Sequence, residues 1–137
     1  MTDSLAQAVQ ALSDAVSELL RQPNSSAGPQ RIRRVEQAVA ATDPIAWLDG
    51  QRAAVRWYWS DRGNAFASAG IGAAWSSRGE SSAELDAMLG AIGELFRDAG
   101  VRVYGGTRVD GARPASAAWR TFGAARFFVP RIELRDE

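Results

Sequence analysis

The pattern of apolar positions indicates an amphipathic helix near the start of the chain. Between residues 3 and 21, apolar residues recur every three or four positions and form one stripe, as in a helix with a single buried face. The members of this stripe are Leu5, Val9, Leu12, Val16, Leu19 and Leu20. Asp3 or Ser4 is expected to cap the first turn by accepting a hydrogen bond from a free backbone N–H. The segment PNSSAGP, residues 23–29, is rich in helix-breaking residues and is predicted to be a loop or short linker.

Two further helices are predicted from periodicity and capping residues. Residues 81–99 carry the clearer pattern, with Ser81 and Glu84 as a capping-box pair and Gly100 as the residue that stops the helix. Its apolar stripe consists of Leu85, Met88, Leu89, Ile92, Leu95 and Phe96. A short helix, PIAWLDGQ, is expected to begin at Pro44, because proline suits the first helical position.

Alternating residues in the middle of the chain predict a β-hairpin. Large apolar residues occupy every second position of the first strand, which gives it one strongly apolar face: these are Val55, Trp57 and Trp59. Residues 60–64, SDRGN, have the composition of a turn. The return strand, FASAGIGAAW, covers residues 66–75, and its Gly70 and Gly72 indicate a bulge or a close backbone approach.

The last third of the chain is predicted to form two more strands. VRVYGG follows Gly100 directly, and RFFVPRIEL covers residues 126–134. Pro130 cannot donate to a sheet ladder, so it marks either an edge position or a bulge. Residues 30–40 fit both a helical face and a charged edge strand, and periodicity does not decide between them.

This order of elements predicts an α+β fold, in which an antiparallel sheet has helices packed on one face. Strands joined by hairpins, with few crossover helices between them, are typical of antiparallel rather than parallel sheets. A length of 137 residues and a hydrophobic fraction of 46% fit one globular domain with a core.

The composition of the chain limits the reactions that its side chains could catalyse. The chain has no His and no Cys, and all 16 basic residues are Arg, so Lys is absent too. These three residue types supply most general bases, covalent nucleophiles and nitrogen or sulfur metal ligands. The use of Arg alone is attributed to a GC-rich genome rather than to phosphate recognition. The sequence therefore predicts a chain without a complete active site of its own.

Charge and hydropathy exclude several classes of partner. Sixteen acidic residues balance the sixteen Arg, and a neutral chain lacks the cationic surplus that sequence-independent nucleic-acid binding needs. No apolar run approaches the ~20 residues of a membrane span. The start, MTDSLAQAVQ, does not resemble a signal peptide, and the lack of Cys is compatible with a reducing compartment. A cytoplasmic protein that binds neither nucleic acid nor membrane is expected.

Several residue groups contain residue types found in functional sites, and a structural role is favoured for each. The Gly105–Gly106 pair lacks the spacing of a phosphate-binding loop and is attributed to strand-end geometry. Four aspartates are potential Mg²⁺ ligands, but each lies beside residues typical of caps and turns: Asp43, Asp49, Asp61 and Asp110. Serine hydroxyls without an activating base are assigned to turns and caps: Ser76, Ser77, Ser81 and Ser82. Aromatic residues in strands are assigned to packing rather than base stacking: Trp57, Trp59, Phe127 and Phe128.

Four segments taken in order resemble the amino-terminal part of menaquinone-type isochorismate synthases, which belong to the chorismate-utilising enzymes. The segments, within residues 43–134, are DPIAWLDGQ, RWYWSDRGNAFASAGIGAAW, VRVYGGTRVD and WRTFGAARFFVPRIEL. Val109 departs from the pattern, in which Phe more often follows the Gly-Gly pair. The resemblance implies half of a two-layer sheet-and-helix fold, and it implies a strand over residues 31–39.

The same resemblance implies that the catalytic residues lie in a second half of the enzyme. That half carries a Lys that activates water, an opposing acid and the Glu ligands of Mg²⁺, and this chain contains no Lys. We therefore predict no catalytic, cofactor-binding or metal-binding residue here, and Mg²⁺ only in the complete enzyme. Residues 1–29 are expected to be an amino-terminal helix and linker, and residues 30–137 the sheet-and-helix domain.

The expected function is therefore that of an amino-terminal structural domain of an isochorismate synthase, inactive alone. The alternative is a non-enzymatic binding or interaction module derived from that fold, and salicylate or anthranilate formation is a third reading. The expected partner is the catalytic half of the same enzyme, with chorismate bound only by the complete protein. Uncovered sheet edges and apolar surface also predict self-association of the isolated chain, through strands or the Trp-bearing face.

Overall fold

The computed structural model describes residues 4–22, 32–63, 65–97, 100–110 and 113–136. These described residues form three α-helices, four strands and one 3₁₀ turn, in the order α1, α2, β1, β2, α3, β3, the 3₁₀ turn and β4. The helices are α1 (Leu5–Arg21), α2 (Pro44–Asp49) and α3 (Ser82–Phe96). The strands are β1 (Arg56–Ser60), β2 (Ala67–Gly79), β3 (Tyr104–Thr107) and β4 (Ala125–Asp136), and the 3₁₀ turn is Ala117–Trp119.

The four strands form one antiparallel sheet in the order β1-β2-β4-β3. The two long strands, β2 and β4, form its centre and pair over almost their whole length. Helix α2 packs against β1, β2 and β4, and α3 packs against β2. The predicted α+β fold with an antiparallel sheet is confirmed.

The helix starts follow from the predicted capping residues. Ser4 accepts from the backbone N–H of Gln7, whose side chain in turn accepts from the N–H of Ser4, a reciprocal capping box. Ser81 accepts from the N–H of Glu84, whereas the Glu84 carboxylate accepts from Glu80 rather than from Ser81. The Ser81 cap is therefore confirmed without the return bond of a full capping box. Asp3, the other candidate cap of α1, lies outside the described residues.

A bulge in the central strand pair explains two of the residues that interrupt the strand pattern. Pro130 pairs with Ala73, and the register shifts immediately afterwards, between Ala73 and Trp75. Gly72, next to this shift, has a φ of 64°, a left-handed conformation that glycine adopts without steric cost. The bulge explanation of Pro130 is therefore confirmed. Strand β3 pairs with β4 only from Ala125 to Phe128, so Pro130 also lies at a position where that side of β4 has no described partner strand.

The strand predicted over residues 31–39 is wrong for the part that the structure describes. Residues 32–39 belong to no helix or strand, and side chains instead attach this segment to its surroundings. Arg34 donates to the carbonyl oxygen of Gly100, and the Glu36 carboxylate accepts from both Arg34 and Arg135. The charged side chains that made an edge strand plausible thus bind neighbouring segments without a backbone ladder.

Other predicted boundaries change by a few residues. The return strand β2 extends to Gly79, and β3 begins at Tyr104 rather than at residue 101. Helix α3 ends at Phe96, so Gly100, with its φ of 60°, lies beyond the helix end. The short helix α2 ends at Asp49, before the predicted residues 50 and 51.

The described core is small. Its buried apolar residues are mostly alanine, together with Met88 and Val129, and the polar Ser68 is completely buried. Large side chains pack around it at the sheet surface, such as Trp75 against Phe96 with ring centroids 5.1 Å apart. Many large apolar side chains stay exposed, among them Trp59 and Trp119, each with about half of its surface accessible. Within the described ranges, no helix is both long and apolar enough to cross a membrane.

Candidate functional site

A cleft lies between β1 and the segment that leads into β3. It has a volume of about 560 Å³ and is open on one side. Its walls are mainly aromatic, with one guanidinium group: they comprise Trp57, Tyr58, Trp59, Phe66, Arg102, Val103, Tyr104, Gly105 and Phe128. Apolar walls with few polar groups are typical of small-molecule sites.

The aromatic rings contact one another in two groups. Trp57 lies at the centre of the first group, with its ring centroid 4.2 Å from Tyr104 and 5.6 Å from Phe128. Trp59 and Phe66 form the second group, with centroids 5.6 Å apart. The strand alternation places Trp57 and Trp59 on the same face of β1, which is why both rings reach this cleft.

Arg102 supplies the positive charge of the cleft. Its guanidinium carbon lies 4.1 Å from the centroid of the Phe66 ring, a cation–π arrangement. The ring thereby holds the guanidinium over the aromatic wall. A planar guanidinium beside aromatic faces suits a flat ligand that carries a carboxylate.

A hydrogen-bonded group of three polar side chains lies behind the aromatic wall. Ser68 donates to Glu133 Oε1 at 2.6 Å, and the Tyr104 hydroxyl donates to the same oxygen. Ser68 is completely buried, so its partner on β4 satisfies a polar group that would otherwise be costly to bury. The carboxylate therefore fixes the orientation of the Tyr104 ring from behind.

The same contacts change the acidity of Tyr104. Burial raises the pKa of Tyr104 above its ordinary value of 10.0, and the hydrogen bond to Glu133 raises it further. A phenol in this environment keeps its proton at neutral pH. Tyr104 can therefore donate a hydrogen bond but cannot act as a general base there.

The described residues do not suit metal binding or nucleophilic catalysis. They contain no group of three or more His, Cys, Asp or Glu side chains that could hold a metal ion. The Mg²⁺ that the resemblance implies does not fit them, because Mg²⁺ needs converging carboxylate oxygens. The polar group at the cleft places two hydroxyls on one carboxylate oxygen, with no His, Lys or Cys in the chain to activate either.

The structure keeps the predicted aspartates apart. Asp43 caps α2 by accepting from the N–H of Ile45 at 2.8 Å, and Asp61 accepts from Phe66 in the hairpin turn. Asp110 forms an ion pair with Arg113, and Asp49 ends α2 beside a second, smaller cleft. Cap and turn roles are thus confirmed for Asp43 and Asp61.

The structure also shows the surroundings of the glycine pair, of two of the serines and of the aromatic residues. Gly105 lies in β3, where an added Cβ would overlap the carbonyl oxygen of Arg126, so close strand packing explains this glycine. Gly106 faces open space. Ser76 and Ser77 lie within β2 rather than in a turn, so the turn assignment is wrong for them. Trp57 and Phe128 pack against each other as predicted.

The polar group of Ser68, Tyr104 and Glu133 is not predicted from sequence. Its members come from three strands, and Ser68 and Glu133 are 65 positions apart. No local spacing relates them, because the contact depends on the register of β2 against β4. One available signal was a single Glu among the apolar residues of the last predicted strand.

Comparison with known proteins identifies a family. A family model described as chorismate binding enzyme matches residues 13–137. The match includes all four sheet strands, α2 and α3, and it begins within α1. Comparison with curated proteins and with solved structures finds no match.

Proposed function

The chain belongs to the chorismate-binding enzyme family, and we propose that it is the amino-terminal structural domain of an isochorismate synthase. On this proposal it shapes one side of an active site whose catalytic residues lie in another part of the enzyme. The complete enzyme would convert chorismate to isochorismate, by addition of water at one ring carbon and loss of a hydroxyl group at another.

The residue composition of the chain is the single observation that supports a structural rather than a catalytic role. The chain has no Lys, His or Cys, so the Lys that activates water in the family is not among its residues. Mg²⁺, where it binds, is assigned to the catalytic half, because the described residues do not bring carboxylates together. The cytoplasm is the proposed location, and the absence of Cys is compatible with its reducing conditions.

Exposed apolar surface supports a partner for the sheet. Exposed large residues lie on several elements, including Ile45, Trp59, Trp119 and Ile132. We assign this surface to contact with the catalytic half of the enzyme, and to self-association where the chain is alone.

The test of catalytic inactivity is an assay of this chain with chorismate and Mg²⁺. No isochorismate is expected above the control without protein, and turnover above that control would contradict the proposed structural role.

The test of product specificity uses the complete protein. If the reading frame continues past Glu137, or a neighbouring frame encodes the catalytic half, the products are separated by chromatography. Isochorismate supports the proposal, whereas salicylate or anthranilate as the product contradicts it.

The aromatic cleft favours a second candidate, a non-enzymatic binding module. Arg102 over Phe66, beside the Trp57–Tyr104 pair, suits a flat carboxylate. Benzoate titrated into the chain and followed by Trp fluorescence is then expected to bind, with benzylamine as the matched cationic control. Substitution Arg102→Gln should abolish the difference between the two probes. Equal responses of the unsubstituted chain to both probes would exclude a carboxylate-binding role.

A further inference from the structure

The positive charge of the aromatic cleft lies on a segment that precedes the sheet. Arg102 comes two residues before β3, and residues 100–103 belong to no helix or strand. The ladder between β3 and β4 begins where Tyr104 pairs with Phe128. It therefore fixes the end of the approach segment, defined as residues 100–103, that leads into β3. The place of the Arg102 guanidinium also depends on what holds the other end.

Arg34 binds that other end of the approach segment. Its Nη1 donates to the carbonyl oxygen of Gly100, a residue 66 positions further along the chain. Hydrogen bonds from a guanidinium are charge-assisted and are stronger than those between neutral groups. The bond attaches the extended segment 32–39 to the cleft wall, two residues away from Arg102.

Glu36 holds Arg34 in the orientation that this bond needs. Its Oε1 accepts from Nη2 of Arg34 and from Nη2 of Arg135 on β4. The two terminal nitrogens of Arg34 thus have different partners, the carboxylate of Glu36 and the carbonyl of Gly100. Because a guanidinium presents its donors in a rigid planar fork, the carboxylate on one nitrogen directs the other. Arg135 pairs with Ser68 in the central strand pair, so the arrangement is anchored to the sheet.

We propose that Arg34 is a positioning residue of the cleft, which holds Gly100 and thereby places the Arg102 guanidinium where a carboxylate would bind. The inference rests on the second candidate function, the carboxylate-binding cleft, and it gives Arg34 no contact with the ligand. The neighbouring Arg33 provides a contrast within the same segment. It carries the same charge, but it donates to the carbonyl oxygen of Leu19 in α1 at 3.3 Å rather than to the cleft wall.

The first test observes the Arg102 side chain directly by NMR. Its guanidinium carbon lies 4.1 Å from the centroid of the Phe66 ring, so the ring current should shift its side-chain proton resonances upfield. The spectrum of Arg102→Gln identifies these resonances by their loss. Arg34→Gln should move them toward the positions of a free arginine, whereas Arg33→Gln should leave them in place. Resonances that Arg34→Gln does not move would overturn the proposal.

A second variant covers the case in which Arg34→Gln does not fold, which circular dichroism would show. Glu36→Gln leaves Arg34 intact but removes the carboxylate that orients it. It should therefore move the Arg102 resonances in the same direction, and unmoved resonances would again contradict the positioning role.

The second test is a double-mutant cycle on the preference for a carboxylate. Benzoate and benzylamine are titrated into each variant, and the preference is the ratio of their dissociation constants. Arg34→Gln should reduce the preference for benzoate by about twofold or more, as expected for residues in one network. Arg33→Gln should change it by less than about twofold, because exposed charges at a distance are screened by salt.

The cycle is completed by Arg34→Gln/Arg102→Gln. If Arg34 acts through Arg102, its substitution should cause no further loss once Arg102 is replaced. An equal loss in both backgrounds would show that Arg34 acts independently of Arg102 and would overturn the proposal. Equal affinities of the unsubstituted chain for benzoate and benzylamine would exclude the carboxylate-binding role itself. The Arg102 resonances would then still decide whether Arg34 positions this side chain.

Discussion

The indole ring of Trp57 lies directly over the backbone of Gly70, its partner across the β1–β2 pair. A Cβ at Gly70 would lie 2.5 Å from Cε2 and 2.6 Å from Nε1 of the indole ring. Tyr104 and Phe128 hold the ring on its other sides, so it has little room to move. The Trp57 ring can therefore take its place in the aromatic wall of the cleft only because residue 70 is glycine and has no Cβ.

Gly70→Ala should therefore destabilise the fold. Forcing the Trp57 ring away from the sheet is an overpacking change, which typically costs about 1–3 kcal/mol. The free energy of unfolding, measured by urea titration, should fall by that amount, and Trp fluorescence should change. Gly106→Ala is the control, because nothing lies within 4 Å of its added Cβ. The predicted packing would be wrong if both substitutions had the same small effect.

Tyr104 should ionise at higher pH than an ordinary tyrosine. Tyr58 and Tyr104 are the two tyrosines of the chain, so a Tyr58→Phe background isolates the titration of Tyr104 by phenolate absorbance. Burial and the hydrogen bond to Glu133 predict a midpoint above 10.0. In the same background, Glu133→Gln should lower the midpoint, because the carboxylate contributes to the raised pKa. A midpoint unchanged by Glu133→Gln would show that the bond does not control this tyrosine.

The raised pKa of Tyr104 also determines how the free energy of unfolding changes with pH. Below pH 10 the phenol is protonated in both the folded and unfolded states, so Tyr104 contributes no pH dependence. Above pH 10 the unfolded state loses the proton first, and the free energy of unfolding falls until pH exceeds the folded pKa. Tyr104→Phe should remove this part of the alkaline loss, which urea titrations at pH 9 and above measure. An equal alkaline slope in both proteins would contradict this assignment.

Sequence patterns predict the local elements better than the contacts between distant ones. The caps at Ser4 and Ser81 and the hairpin are local consequences of residue type and spacing, and they are found as expected. Residues 32–39 show the limit of such patterns. Their Arg and Glu side chains suit an edge strand, but a ladder needs a neighbouring backbone, and Glu36 binds Arg135 instead.

The candidate site shows the same limit. The alternation of β1 predicts that Trp57 and Trp59 share a face, and both line the cleft. The Ser68–Glu133 contact follows from the register of two strands, which the bulge beside Ala73 shifts along their length. Nothing in the residues near Glu133 indicates which hydroxyls it accepts from. The aromatic wall was therefore predictable, and the polar group behind it was not.

Glu36 should control the local stability of the extended segment 32–39. Its carboxylate accepts from Arg34 within the segment and from Arg135 on β4, so Glu36→Gln removes the charge that joins them. Hydrogen exchange of residues 32–39 should accelerate, whereas the global free energy of unfolding should change by less than about 1 kcal/mol because the pairs are half exposed. Glu94→Gln, which removes the ion pair between Glu94 and Arg97 at the end of α3, is the control. Unchanged exchange in 32–39 would show that other contacts hold this segment.

Asp43 should stabilise α2 and, through it, one side of the sheet. Its carboxylate accepts from the N–H of Ile45 at 2.8 Å, and the buried Pro44 after it occupies the first turn of a helix of only six residues. A helix this short has few internal bonds, so it depends on its cap and on packing against β1, β2 and β4. Asp43→Ala should lower the free energy of unfolding by about 0.5–2 kcal/mol.

Asp49→Ala gives the matched comparison, since Asp49 lies at the other end of the same helix. A carboxylate at a helix C-terminus is opposed by the helix dipole, so its removal should be neutral or slightly stabilising. The two aspartates flank one short sequence, and composition alone does not distinguish them. Urea titrations in which both substitutions destabilise the protein equally would assign the loss to net charge rather than to the cap. A loss confined to Asp43→Ala would instead establish that a single side-chain hydrogen bond holds the start of α2.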